Sequence, residues 1–497
     1  MRLQNSNTLQ AFWLGMGSLS SFTLAIVSAA ILSRYFNKTE YGTYRQILYV
    51  YSTLLVIFSA GLPSVFSYFL PRFSIPQGKD IVRKITVALF LLGGIFSIAL
   101  FAISGLVAIV LKNPDLEKCL KIFSAIPLLL LPTLGLEVIF STYKKTFYIA
   151  IYNTITRILM LLFIVLPVIL FKGSIEYALY GWIVVSFLSL CLAFYFKRLP
   201  IAGFIIEKAA LNYKDIFKYS FPIATASLWI IVIKSADQFY ISRFFGTEVF
   251  AEFSNGFVEL PFVSFVTFAS ANVILPIFSK MIKDNSSADE VINLWRNTLI
   301  KSAVILYPLV VFFIFNAKDL IVLLYSNAYE KSSVYFQIAM VLNFFNIILF
   351  SPLMFSIGKT KIFSRIHLIF AIVIWIIDYL LVVLFHSPIA IAICSVTMAI
   401  IRVFVFIIFL SRYFKISLMN FIPLRYISTL IIHSIVSIAL TKLIFSLISP
   451  DVNIIIVLIM NFALFSLILI ATSRIIKLNY FIIIGPILKK ALLINKL

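Results

Sequence analysis

Fourteen apolar runs, each 19 to 30 residues long, follow one another with little interruption from residue 12 to residue 472. A helix needs about 20 apolar residues to cross the hydrocarbon core of a bilayer. The runs lie at about 12–35, 43–70, 85–111, 120–142, 149–171, 178–196, 219–243, 250–279, 297–317, 333–357, 363–385, 388–411, 425–448 and 453–472. Strands facing lipid would leave open edges unsatisfied, and these runs are too long and too evenly apolar for a barrel. The expectation is an all-α integral membrane protein with about 14 transmembrane helices. Charged residues make up 12% of the chain, against about 25% in soluble domains. The first run is too long for a signal core and lacks a small-residue cleavage site, so it reads as the first span.

The chain also repeats itself. Leu32-Ser33-Arg34-Tyr35-Phe36 returns 209 residues later as Ile241-Ser242-Arg243-Phe244-Phe245, and Tyr41-Gly42-Thr43-Tyr44 falls on Phe250-Ala251-Glu252-Phe253 at the same offset. Leu70-Pro71-Arg72-Phe73-Ser74 matches Leu275-Pro276-Ile277-Phe278-Ser279 at an offset of 205. Phe140, Ser141 and Lys144 match Phe355, Ser356 and Lys359 at 215. Three matches in one order divide the chain into a six-helix lobe at 1–208, a second at 209–415, and two extra helices with a basic tail at 416–497. Six spans per half is an even number, so the halves enter the membrane the same way round. That is the parallel kind of repeat found in many transporters.

Lysine and arginine set the orientation. With the amino terminus in the cytoplasm, 26 of the 41 basic residues fall on inner segments, 10 on outer segments and five within spans. The positive-inside rule then places both termini in the cytoplasm. The net charge of +22 is therefore mostly membrane-surface charge facing anionic lipid. A nucleic-acid partner is not expected, because no soluble basic domain exists to carry one. Cys119, Cys191 and Cys394 are odd in number and scattered, and His367, His386 and His433 are as dispersed, so neither a disulfide framework nor a metal site follows. No outer loop much exceeds about 15 residues, which leaves a lipid-sugar polymerase or ligase nowhere obvious to place catalytic groups. An enzyme is not expected.

Charge within a span costs at least about 2.5–3.5 kcal/mol near its middle, so such residues are kept for a reason or reach the interface. Arg157 in the fifth span and Arg402 in the twelfth suit a bidentate grip on phosphate; an internal ion pair is the structural alternative. Lys234 and Asp237, three residues apart in the seventh span, share a helix face and can neutralise one another. Glu137, Glu259, Asp378 and again Asp237 are the candidate proton or cation sites. Lys301, Lys442 and Arg45 lie nearer span ends and read as snorkelling residues. Prolines in or near spans, among them Pro63, Pro127, Pro132, Pro261, Pro308 and Pro352, can bend helices and free carbonyls toward a cavity.

The starts of the repeats resemble a known family. Leu32-Ser33-Arg34-Tyr35-Phe36, followed by Glu40-Tyr41-Gly42-Thr43-Tyr44, is similar to the first span and turn of the Wzx-like polysaccharide and O-antigen flippases. These form a branch of the multidrug/oligosaccharidyl-lipid/polysaccharide (MOP, MATE-like) exporter superfamily. Ala60-Gly61-Leu62-Pro63, Asp237 with Ile241 to Gly246, and Ser356-Ile357-Gly358-Lys359-Thr360-Lys361 resemble its second span, seventh span and tenth-to-eleventh turn. The resemblance implies a MATE-like fold of two six-helix lobes plus two helices. It also implies an undecaprenyl-pyrophosphate-linked oligosaccharide as substrate, moved from the inner to the outer leaflet of the bacterial inner membrane by alternating access. On that footing Arg157, Lys234, Asp237 and Arg402 become cavity candidates. No cofactor is implied, with proton or sodium coupling left open. The polymerase and chain-length regulator of the same pathway are the implied partners, beside membrane lipids. A MATE-type multidrug or cation antiporter and a lipid II flippase stand as the alternatives, with a polymerase or ligase behind them.

Overall fold

The computed structural model describes residues 7–171, 173–448 and 453–480, and among these the chain is helical with no strand. The basic tail carrying Lys489 and Lys490 lies outside the described residues. The chain forms two compact units, residues 1–254 with 371–388, and residues 255–370 with 389–497.

In the first unit, α1 (Asn7–Tyr35) packs along α8 (Phe147–Met160). Between them come α2 (Lys38–Ser59), α3 (Leu62–Phe69), α4 (Ile75–Val110), α5 (Asp115–Phe123), α6 (Ile126–Leu130) and α7 (Leu136–Thr142). After α8 follow a π-helical turn at Leu161–Val165, α9 (Leu166–Phe171), α10 (Ile175–Arg198) and α11 (Tyr213–Gly256). The local sequence explains the helix starts. Asn37 and Glu40 form a capping box at α2, and Ser74 and Gln77 form another at α4, each satisfying amides that a helix start leaves free. The core of this unit gathers Leu62, Phe66, Ile81, Ile85 and Leu89 around α3 and α4, with Ile139 from α7. The carbonyl of Phe163, in the π-turn, lies 1.7 Å from where a Cβ on Gly181 would stand, so that crossing needs a glycine in α10.

The second unit holds α12 (Pro261–Lys283), α13 (Ala288–Phe315), α14 (Ala317–Tyr325), α15 (Ser332–Asn346) and α16 (Phe350–Ser356). It also holds the first part of α17 (Thr360–Phe385), most of α18 (Pro388–Phe414), α19 (Leu418–Phe421), α20 (Leu424–Ile448) and α21 (Ile454–Ser473). Phe312 on α13, Ile438 on α20, and Phe465 and Leu469 on α21 build one core cluster there, so the last two helices are packed parts of the unit.

Twelve described helices are long and apolar enough to cross a membrane, or up to 13 if the pair Lys38–Ser59 and Leu62–Arg72, bent by 44°, counts as one span. Among the described residues the exact count of fourteen is not confirmed. The seventh and eighth spans account for part of the difference. Within Tyr213–Gly256 the backbone is not continuously helical: Gly246, at φ 84°, separates the helix of the seventh span from a second helix at 247–256 that begins the eighth. The eighth then breaks before Leu260, which caps α12.

Candidate functional site

The seam between α11 and α17 carries three of the expected residues. The Trp375 indole donates to the Val232 carbonyl at 2.9 Å, and the Tyr240 hydroxyl donates to the Trp375 carbonyl at 2.9 Å. These bonds hold Lys234 and Asp237 on one helix at the level of Asp378 on the other. Asp237 is 3% exposed and Asp378 is fully buried, whereas Lys234 is exposed. The two residues are three apart on this helix, Asp237 on its buried side and Lys234 at an exposed position. Asp237 lies close to Tyr49 of α2, whose hydroxyl donates to the Ser235 carbonyl at 3.3 Å.

Arg157 stands ten residues past Phe147 on α8, about 15 Å along the axis. It is half-buried near Tyr44 and Tyr152, and its Nη1 lies 3.3 Å from the Met160 sulfur. Among the described residues no carboxylate ion-pairs or hydrogen-bonds with it. A guanidinium has five donors in a fixed fork, and most of these have no acceptor from the protein. The π-turn follows directly, a local widening common at functional sites. Arg402, in the second unit, is half-buried beside His367, and its Nε is buried without an acceptor.

The acids divide. Glu137 is exposed on α7 and accepts the Asn153 amide at 3.0 Å. Asn153 lies one turn before Arg157 on α8. Glu259 was expected inside the eighth span, but it lies in the break before α12, exposed, with the Ser264 hydroxyl at 3.5 Å. A carboxylate is comfortable there because a helix amino terminus is electropositive.

Two features escaped the sequence reading. The first is a pair of breaks at corresponding places in the repeats. The fourth span is interrupted between α6 and α7 by a 3₁₀ turn, Leu131–Thr133, and by Gly135 at φ 82°. The tenth is interrupted at 347–349, between α15 and α16. Each break frees a carbonyl, and a side chain takes it. Lys197, 3% exposed, donates to the Pro132 carbonyl at 2.6 Å and to the Thr86 hydroxyl at 3.2 Å. The Trp295 indole donates to the Leu349 carbonyl at 3.0 Å. Interrupted helices in corresponding halves are the strongest general pointer to a transporter's binding region. Pro127 and Pro132 were the available signal at the first break; the partners that cap the breaks were not readable.

The second feature is a polar contact between the two repeat starts, all of it within the first unit. Thr39 donates to Glu248 at 3.2 Å and Arg45 to the Ser254 carbonyl at 2.7 Å, and both pairs stand 209 residues apart, the offset of the repeat itself. Lys38 pairs with Glu252 at 2.7 Å. Gln46, fully buried, bridges Ser242 at 2.7 Å and Asn113 at 2.6 Å. A Cβ on Gly42 would come within 2.1 Å of the Thr247 carbonyl, so the contact is backbone-close. Arg45, read as a snorkelling residue, is thus held by protein.

The sequence profile of a family described as Polysaccharide biosynthesis protein matches residues 31–334. The chain belongs to this family. Among curated proteins none is significantly similar in sequence. Its fold is that of MOP-superfamily transporters. A lipid II flippase, MurJ, in an inward closed conformation is 14% identical, with a TM-score of 0.67 over 94% of this chain and 99% of its own. An inward-facing multidrug resistance MATE transporter is 11% identical, with a TM-score of 0.64 over 81% and 98%. A MOP-superfamily transporter from Pyrococcus furiosus, whose binding pocket is described as of reverse polarity, is 12% identical, with a TM-score of 0.59 over 82% and 94%. These proteins are a flippase and transporters, not enzymes. This member of the polysaccharide biosynthesis family is accordingly a multi-span helical membrane protein with a flippase-like fold, as the repeat starts led one to expect.

Proposed function

We propose that the protein carries undecaprenyl-pyrophosphate-linked oligosaccharide units from the inner to the outer leaflet of the bacterial inner membrane, for surface polysaccharide such as O-antigen. The observation that carries this reading is Arg157, an arginine near mid-span that no carboxylate among the described residues neutralises. A pyrophosphate cannot leave water unaided. A fixed guanidinium with free donors offsets that loss, and its fork matches two phosphate oxygens. In this reading the lobes at 1–208 and 209–415 alternate access, with Arg402 as a further cation in the second half and both termini cytoplasmic. Asp237 and Asp378 are the candidate sites for proton or sodium coupling, because both are buried acids on one helix seam. The pathway's polymerase and chain-length regulator would take the product on the outer side.

A lipid II flippase would use the same pyrophosphate chemistry, and the family description is what favours an oligosaccharide unit over the peptidoglycan precursor. A drug or cation antiporter would leave the arginines without a role. The test is transfer of a labelled undecaprenyl-pyrophosphate oligosaccharide across vesicles containing the purified protein. Transfer that fails with lipid II or with organic cations supports the reading. Transfer of organic cations alone overturns it.

A further inference from the structure

The segment joining the two repeats, residues 202–212, has no regular structure, yet it is firmly held. The Lys79 ammonium donates to the Phe204 carbonyl at 2.8 Å, the Glu207 amide donates to the Pro76 carbonyl at 3.4 Å, and the Ala209 amide donates to Asp80 at 3.0 Å. Lys84 donates to the carbonyls of Ala209 and Leu211 at 3.3 and 2.9 Å and pairs with Asp80 at 2.7 Å. Ile201, Ala209 and Leu211 are buried in the α3–α4 core. Between these anchors Phe204, Ile205 and Ile206 point away from the protein, Ile205 at 86% exposure. Three consecutive apolar residues held out by a pinned backbone cannot fold back to hide, and such a run in water is a liability unless something covers it. The same surface continues onto the start of α11, where Tyr213, Phe217 and Phe221 recur every fourth residue and are exposed. Arg198, Lys208, Lys214 and Lys218 stand exposed among these residues, against the exposed acids Glu207 and Asp215.

The geometry points to a lipid-surface contact: Phe204, Ile205 and Ile206 insert into the interface of the inner leaflet, and the surrounding lysines and Arg198 bind anionic headgroups. Apolar side chains on one side with basic residues beside them are the signature of a segment lying in the headgroup region. The cytoplasmic leaflet is the anionic one, and the excess of basic residues on inner segments puts this linker on that side. Charge complementarity and continuity with the spans choose lipid as the occupant over a protein partner.

The test uses the full chain with Cys191, the one exposed cysteine, changed to Ser. Ile205→Cys and, as a control at an exposed position of the same linker, Ala210→Cys are labelled with a membrane-impermeant maleimide in vesicles of phosphatidylcholine with or without phosphatidylglycerol. A bimane attached at each position is then read against lipids carrying a shallow spin-label quencher. The expected result is labelling at Ile205→Cys about tenfold slower than at Ala210→Cys, with its bimane quenched, and more strongly when phosphatidylglycerol is present. Changing Lys208, Lys214 and Lys218 together to Gln should remove the dependence on phosphatidylglycerol. Equal labelling at both positions with no quenching overturns the proposal. So does protection in native membranes that disappears in pure lipid vesicles, which would assign the surface to a protein.

Discussion

Arg157 and Lys197 are both basic residues inside the helical bundle, and they solve the cost of burial differently. Lys197 spends its protons on two neutral oxygens, Thr86 and Pro132, and sits 5.8 Å from the centre of the Phe66 ring. Among the described residues Arg157 has only a sulfur. The first looks structural and the second unfinished. Arg157→Gln should therefore lower the transfer rate of lipid-linked oligosaccharide by roughly 10-fold or more, the worth of one or two charge-assisted hydrogen bonds, at unchanged protein level. Arg157→Lys should recover part of it, since it keeps the charge and loses the fork. An unchanged rate for Arg157→Gln in a vesicle transfer assay would remove the arginine from the site. Arg157 was legible in the sequence because charge stands out in an apolar run. Lys197 was not: it ends such a run and passes for one more inner-surface lysine, and its meaning depends on a carbonyl 65 residues away. The burial of Asp237 beside an exposed Lys234 was equally hidden, because spacing gives the helix face and not what covers it.

Helices and their order were readable element by element, because length and apolar content alone decide a span. Their interruptions were only half readable. Pro127 and Pro132 announce a broken fourth span, but no proline or glycine stands at 347–349, where the tenth span breaks. The break between the seventh span and the helix that begins the eighth lies at Gly246, and its backbone angle is not something composition reveals. Two substitutions examine these elements. Trp295→Phe keeps the ring and removes the donor to Leu349, so it should destabilise the protein by about 1–3 kcal/mol, the cost of a buried carbonyl left without a partner. Thermal unfolding in detergent would show this as a lowered midpoint, and an unchanged midpoint would mean that the break is satisfied otherwise. Gly181→Ala would set a methyl against the Phe163 carbonyl of the π-turn, and overpacking of this kind costs about 1–3 kcal/mol. The same unfolding measurement checks it, and Ser186→Ala on the same helix serves as the control.

For the molecule as a whole, the repeat was the most informative thing in the sequence, and the structure gives it a physical form. Thr39 with Glu248, and Arg45 with Ser254, are equivalent positions of the two repeats in direct contact. Lys38 with Glu252 and the buried Gln46 network close the same junction. If the halves rock against one another, this junction must part during each cycle. Cysteines at Thr39 and Glu248, oxidised to a disulfide, should stop transfer, and a reductant should restore it. Full transfer with the disulfide in place would mean that the junction stays closed throughout. Sequence alone does not foretell such contacts, because a repeat gives equivalence and not proximity.

The central claim concerns which side of the membrane a lipid-linked sugar reaches. Its most direct measurement is made in the host with the gene deleted. Lipid-linked oligosaccharide is quantified by mass spectrometry, and its leaflet is read with a membrane-impermeant glycan label. The account predicts undecaprenyl-linked units held on the cytoplasmic face, surface polysaccharide lost, and both restored by the wild-type chain but not by Arg157→Gln. Units that still reach the outer face, or no change in these lipids at all, would contradict it.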